Sequence, residues 1–421
     1  MFFFYLIELA LTFEIALRTI STQKSREGIR VISDLDFLPA CEIARNLYSN
    51  DVLLGKFQFM EMAAPEYWKG ASNHRWTSER AWAWYRAKPW LVGANFVPSS
   101  AINQLEMWQA ETFNPAQIER ELGWLAAIGM NSMRVFLHDL LWQQDAPGFL
   151  ARLEQYLDIS HRHKIGTMFV LFDSVWHPFP HVGRQPEPQP GVHNSGWVQG
   201  PGVAVLRNPG EWNRLEDYVS GVMARFRDDE RIDLWDIWNE PDNANVFSYG
   251  PRDITANKGE VVLPLLSRAF TWARKINPTQ PLTSGIWRLD QFDPEAKKDA
   301  LPEFQLQASD VISFHIYEPL PKVREIVGEL KKHERPVLCS EYMARAPGNT
   351  FQNILPFFKA ENVAAYNWGA VAGRSQTNYP WDSWQNPYPG EPPLWQHDIF
   401  RPDGSPYDPS ETKLIQSLCR A

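Results

Sequence analysis

The chain has 421 residues, 44% of them hydrophobic and 22% charged, with 33 prolines and 19 tryptophans. It can bury a large core in one big domain or two ordinary ones, and it is too apolar for intrinsic disorder. A net charge of −9 argues against nucleic acid or an anionic membrane as the main partner, and a mean hydropathy of −0.38 excludes a polytopic membrane protein.

In chain order, residues 1–20 come first and are mostly apolar, yet carry Glu8, Glu14 and Arg18. A signal peptide wants a basic start and an uncharged apolar stretch. A membrane span would bury two acidic residues at about 2.5–3.5 kcal/mol each. An amphipathic or core-docked helix is expected instead, with no stable membrane insertion. Residues 1–88 read as an N-terminal extension. Its later part, with Trp68, Trp76, Trp82 and Trp84, is expected to pack on the domain spanning 89–421.

Within that domain, apolar runs predict strands over 91–96, 133–137, 167–172, 232–238, 281–287, 311–316, 336–340 and 363–368. Helical periodicity predicts helices over 114–129, 148–163, 211–227, 259–276, 321–333, 350–360 and 410–420. Asn114-Pro115 opens the first of these as a cap followed by proline. Runs that are apolar throughout suggest strands covered on both faces, as in parallel sheets. Eight such strands alternating with helices give the α/β class and a closed (β/α)8 barrel. A doubly wound sheet would show a glycine-rich phosphate turn after its first strand, and Gly93-Ala94-Asn95-Phe96 does not supply one.

Two connections, 173–210 and 369–409, are far longer than ordinary turns and rich in aromatic residues. Both follow strands, so both belong to the C-terminal face, where barrel enzymes do chemistry. Closing one end of a cleft is the role expected of them, which favours a pocket and short products. Cys41, Cys339 and Cys419 are too far apart for a disulfide framework or a zinc site, and no cofactor or metal motif is present. His177, His181 and His193 share the first long loop without a carboxylate or cysteine at metal-ligand spacing, so hydroxyl contacts or packing are expected of them.

Strand four ends in Trp238-Asn239-Glu240-Pro241 and strand seven in Ser340-Glu341-Tyr342. Each places a Glu where an apolar strand meets the active face, and strands four and seven lie across a barrel from one another. Two carboxylates flanking a bond are what glycoside hydrolysis requires: one protonates the leaving oxygen, the other attacks the anomeric carbon or activates water.

With these motifs the chain resembles the retaining glycoside hydrolases of clan A, especially family 5 (cellulase-like) and the barrel domain of family 2, from about Trp90 onward. The resemblance implies that Glu240 is the acid/base and Glu341 the nucleophile. It also implies binding or supporting roles for Arg134 on strand two, Asn239, His315 and Tyr317 in His315-Ile316-Tyr317, and Trp368 at the end of strand eight. Where family 5 carries a His near the end of strand three, this sequence has Asp173. A retaining mechanism implies carboxyl groups about 5–5.5 Å apart, against roughly 6.5–9.5 Å for inversion. The substrate implied is a β-linked glycan or its oligosaccharides, with no cofactor, and the family's external substrates imply a periplasmic or extracellular setting. Two alternatives use the same scaffold: a transglycosylase, and a non-catalytic carbohydrate-binding protein.

Asn95, His138, Asp173 and Trp176 are further candidates for sugar contact. Asp236, inside strand four, reads as a buried ion-pair partner or a contact between side-chain layers rather than a catalytic group. Ten tryptophans (Trp108, Trp142, Trp176, Trp197, Trp238, Trp287, Trp368, Trp381, Trp384 and Trp395) fall at predicted strand ends or in the loops after them. They are expected to line or border one sugar-binding face, because the apolar faces of sugars stack on flat rings and indole N–H groups can donate to hydroxyls.

Overall fold

Eight short strands, buried almost throughout, carry the fold: β1 (Val92–Asn95), β2 (Ser132–Phe136), β3 (Gly166–Asp173), β4 (Ile232–Asn239), β5 (Leu282–Gly285), β6 (Ile312–His315), β7 (Val337–Tyr342) and β8 (Ala364–Asn367). All neighbouring pairs are parallel, in the order β5-β4-β3-β2-β1-β8-β7-β6. The ring closes between β5 and β6, where Ile286 N donates to Ser313 O at 3.1 Å and His315 N to Ile286 O at 2.7 Å. The computed structural model describes residues 71, 74–254, 256–292 and 299–420. The expectations for residues 1–20, Cys41 and Trp68 lie outside the described residues.

One main helix follows each strand: α2 (Pro115–Ala127), α3 (Asp139–Arg162), α4 (Trp212–Arg225), α5 (Lys258–Ile276), α6 (Ala300–Ala308), α7 (Leu320–Lys331), α8 (Phe351–Ala360) and α9 (Pro409–Arg420). An earlier helix, α1 (Ser78–Ala87), precedes the barrel. The architecture is therefore a (β/α)8 barrel, as the alternation predicts. Asn114 caps α2 by accepting from Gln117 N, with Pro115 at its start. Helix α3 begins before the predicted 148 because two helical segments meet at Asp145, whose backbone is non-helical. Asp145 accepts from Gly148 N and so caps the second segment. Helix α6 has no counterpart among the predicted elements. It is short, and Asp299 caps it by accepting from Leu301 N.

The barrel's N-terminal end is plugged. Trp76, Ala81 and Tyr85 pack with Leu91, Met168, Leu234, Val311, Leu338, Ala364 and Tyr366 in one buried apolar cluster. Arg75 donates to the carbonyls of Ser309 and Leu306, and Tyr85 Oη to Asn362 O. Deeper in, Asp310 collects four donors: both terminal nitrogens of Arg274, Trp76 N and Leu282 N, all at 2.7–2.8 Å. The opposite end carries the long loops and is where the cleft lies.

Strand register brings the polar residues at the C-terminal end into one ring. Asn95 sits opposite Arg134, Asp173 opposite Asn239, Asn239 opposite Gly285, and His315 opposite Glu341. Strands β3, β4 and β7 run past the predicted apolar runs, to Asp173, Asn239 and Tyr342. Ladder hydrogen bonds continue there while the side chains turn polar toward the barrel mouth.

Candidate active site

A cleft of about 1660 Å³ opens over this ring, lined among others by Asn239, Glu240, His315, Tyr317, Glu341 and Trp368. Glu240 follows the last residue of β4 with φ +42°, a left-handed backbone conformation uncommon for a residue with a side chain. Its Oε1 lies 2.6 Å from His315 Nδ1, and its Oε2 accepts from Asn243 Nδ2 at 2.6 Å. Glu341 Oε1 accepts from Arg134 Nη1 at 2.9 Å and its Oε2 from Tyr317 Oη at 2.8 Å. A carboxylate oxygen of each Glu and a ring nitrogen of His315 lie within 4.8 Å of one another.

The two carboxyl groups differ in what they face. Burial pushes Glu240 up to about 7, opposed by the Asn243 amide and by Arg134 and reinforced by Asp242. Glu341 is also raised, by burial first and by Glu240, while His315, Arg134 and the Tyr317 hydroxyl favour its charged form. His315 is pushed down to about 4, chiefly by burial, so its ring is neutral near pH 7. Its Nε2 has no partner and rests against Gly285, where a Cβ would come within 2.8 Å. Strand β5 thus ends in glycine because the imidazole occupies the space of a side chain.

Arg134 is fully buried and does not face the cleft. It donates to Asp236 Oδ2, Asn95 Oδ1, Glu341 Oε1 and Asn239 Oδ1, joining four strands into one network. Asn239 accepts from Arg134 and donates to Asp173 Oδ1, which leaves it one N–H toward the cleft that it lines. Asp236 forms the ion pair read from its position within β4.

Three candidate sugar contacts sit behind the cleft. Asn95 spends its amide on the Ser340 and Asn367 carbonyls and its oxygen on Arg134. Asp173 accepts from Trp197 Nε1, Asn239 Nδ2 and Val175 N, and burial pushes it up to about 6. His138 lies between Gln199 O and Leu140 N, with no exposed surface. Trp176 does line the cleft. Of the ten tryptophans assigned to this face, five line it: Trp176, Trp287, Trp368, Trp381 and Trp384. The others have protein partners: Trp108 bonds Phe136 O, Trp197 bonds Asp173, Trp238 bonds Ser174 Oγ, Trp395 stacks on Tyr407, and Trp142 packs on Gly221.

Residues missed by sequence reasoning complete the surroundings. Asn243, three residues beyond Glu240, holds its carboxyl. Buried Lys258 donates to Ser174 O, Asn243 O and Asp253 Oδ2, tying the loops after β3 and β4 together. Asp242 accepts from Trp287 Nε1. The spacing of Asn243 from Glu240 was a usable signal. The Lys258 contacts depend on the tertiary fold and leave no local trace.

Glu240, His315 and Glu341 also offer three atoms that a cation could bridge. Arg134 already pairs with both Glu341 and Asp236, so Glu341 has a cationic partner without one. As it stands, the pair offers a carboxyl raised to about 7 on one side and, on the other, a carboxyl whose charged form Arg134 and Tyr317 favour.

No protein-family model matches the sequence, and no curated protein matches it. No described helix is long and apolar enough to cross a membrane. Among solved structures, the chain is similar to GH5_18 from Streptomyces cattleya. A variant of that protein in complex with Manb1-4GlcNAc gives a TM-score of 0.52 at 15% identity, over 79% of this chain and 81% of that one. The same protein in complex with GlcNAc gives 0.51 at 14% identity, over 79% and 80%. The endo-β-1,4-mannanase from Thermotoga petrophila gives 0.50 at 13% identity, over 78% and 76%. The chain shares with these family 5 glycoside hydrolases the (β/α)8 barrel.

Proposed function

We propose that this protein is a retaining glycoside hydrolase acting on β-linked glycans or their oligosaccharides. One observation carries the reading: two buried glutamates face each other across the barrel mouth, one raised to about 7 and the other held by an arginine and a tyrosine. In this reading Glu240 is the general acid. A carboxyl near 7 is largely protonated at working pH and yet gives its proton up readily. Glu341 is the nucleophile, because Arg134 and Tyr317 donate to its charged form. The approach within 4.8 Å favours direct attack, since an inverting pair must leave room for a water between the carboxyl groups.

Asn239 then offers its remaining N–H to the hydroxyl beside the anomeric carbon, and Trp368 its ring face to the sugar. Asn95 and Arg134 act from behind by fixing Glu341, and Asp173 by fixing Asn239. The family 5 fold of the structural neighbours supports the same reaction class. A carbohydrate-binding protein without activity would have no need of two opposed buried carboxyl groups, which are costly to keep.

The test is covalent. A 2-deoxy-2-fluoro glycosyl fluoride slows both steps and should accumulate a glycosyl-enzyme, with the label on Glu341 by peptide mapping. Proton NMR of the first product should show the β anomer. A label on another residue, or an α product from a β substrate, overturns the assignment.

A further inference from the structure

Building on the glycosidase reading, we infer that the enzyme removes one sugar at a time from the non-reducing end of a β-linked chain. The loops after β3 and β8 wall off the cleft beyond the sugar on Trp368, and the described residues of the loops after β4, β5 and β6 leave the leaving-group side open.

The wall is built from two segments almost 200 residues apart. The indoles of Trp176 and Trp384 stack with centroids 5.6 Å apart and planes within 6°. Tyr249, from the loop after β4, packs against this wall from outside the two segments and meets Trp384 edge-on at 5.3 Å, so that loop borders both sides of the cleft. His193 N donates to Ser383 Oγ, and Tyr388 N to Gly191 O. Gln376 accepts from Gly191 N and donates to the Gln189 and Val192 carbonyls. Gly191 has φ +72°, and a Cβ there would lie 1.9 Å from Tyr388 O, so the two loops meet where only glycine fits. Opening this wall would strand several buried polar groups without partners, so it is a fixed end and not a lid. Trp176 sits at φ +76°, a conformation that a bulky residue holds only when its surroundings impose it. Behind Trp368 the space is filled: Phe136 and Trp197 meet its ring edge-on, and the cavity there holds about 10 Å³.

The other side differs. Lining residues come from the loops after β4, β5 and β6, including Asn243, Phe247, Trp287 and Glu318, and among the described residues none comes from the loops after β1 and β2. Glu240 begins the β4 loop, so the leaving group that takes its proton extends over this side. At about 1660 Å³ among the described residues, the whole cleft exceeds the roughly 300–1,000 Å³ of a small-ligand pocket, so it holds more than the terminal sugar. Phe247, 86% exposed, and Val246, 54% exposed, form an apolar lip there. Exposure of this degree on a large ring at a cleft edge suits the flat face of a sugar.

The cycle balances with one water per sugar released. Glu341 bonds to the anomeric carbon of the terminal sugar as the bond to the leaving oxygen breaks. Glu240 gives that oxygen its proton. Water then displaces Glu341, its hydroxyl going to the sugar and its proton to Glu240.

The test uses the full chain with gluco, manno and galacto β-glycosyl fluorides and with β-linked hexasaccharides labelled at the reducing end, sampled at low conversion. The expected products are free monosaccharide and a labelled chain one unit shorter. Early labelled products shorter by two or more units overturn this inference alone. No turnover of any fluoride or oligosaccharide overturns the glycosidase reading and this inference with it. Trp384→Ala should raise the ratio of internal to terminal cuts at least tenfold, and an unchanged ratio in a variant with wild-type near-UV circular dichroism overturns the wall. Phe247→Ala, at an exposed site that carries no folding burden, should raise KM for the hexasaccharide several-fold more than KM for the fluoride. An equal effect on both overturns the placing of the leaving group.

Discussion

The two ends of the barrel both bury charge, and they handle it in opposite ways. At the plugged end, Asp310 accepts four hydrogen bonds, two of them from Arg274. At the open end, Glu240 has one amide donor and a neutral imidazole, and it is raised to about 7. The backbone follows the same division. Lys164, Asn277, Glu334 and Asn362 have positive φ near the plugged end, each just after a helix, where a left-handed residue ends the hydrogen-bond ladder. Trp176, Asn194, Glu240, Asn245, Met343 and Gln376 have positive φ in the loops of the open end, without that excuse. A buried carboxylate with every lone pair answered is structural. One left partly unanswered, on a strained backbone, is poised to move a proton.

The sharpest way to break this contrast is to remove the charges of the open end and read turnover. Glu341→Ala should lower kcat by about 10⁴-fold or more on every substrate, since a nucleophile has no substitute. Added azide should restore turnover and give the α-glycosyl azide. Retention of even a tenth of the rate would remove Glu341 from the reaction. Glu240→Ala should cost about 10²–10⁴-fold on natural linkages, the usual worth of a general acid. It should cost far less on a dinitrophenyl glycoside, whose leaving group needs no proton. An equal loss on both substrates would mean that Glu240 acts through structure.

Much of this was legible in the sequence, for a physical reason. Strands covered on both faces must be apolar throughout, so eight runs announce eight strands, and a Glu at the end of such a run is out of place unless it is used. Glu240 and Glu341 could be named that way, whereas His315 and Tyr317 were implied by the family resemblance. Residues whose role is set by a partner far along the chain could not. Asp173 looked like a sugar contact, yet it meets Trp197 and Asn239. Half of the ten loop tryptophans turned inward because their indole N–H groups or ring faces found protein partners first. Helix α6 went unread because one short helix carries too few turns for a periodicity to stand out.

At the plugged end the contrast predicts a stability effect. Asp310→Asn keeps the shape but removes the charge that answers Arg274. Breaking a buried pair from one side typically costs about 3–5 kcal/mol. The midpoint of urea unfolding should fall accordingly at pH 7, and a loss below about 1 kcal/mol would show that Asp310 is replaceable.

Glu240→Gln should do the reverse, by a smaller amount and only at higher pH. The folded-state value of Glu240 is raised from 4.5 to about 7. The folded protein therefore favours the proton. The stability that this supplies is complete below 4.5 and is lost as pH rises through 7, where the folded chain must hold a buried anion. A rise of this size corresponds to about 3 kcal/mol. Gln has the shape of the protonated acid and no charge to bury, so the variant should be more stable than the wild type by up to that amount at pH 8. The gain should shrink toward pH 5, where the wild-type carboxyl is already neutral. Urea midpoints of both proteins across that range would measure it. A variant less stable than the wild type at pH 8 would place Glu240 with Asp310 among the charges that hold the fold, and the division between the two ends would fail at the residue on which it rests.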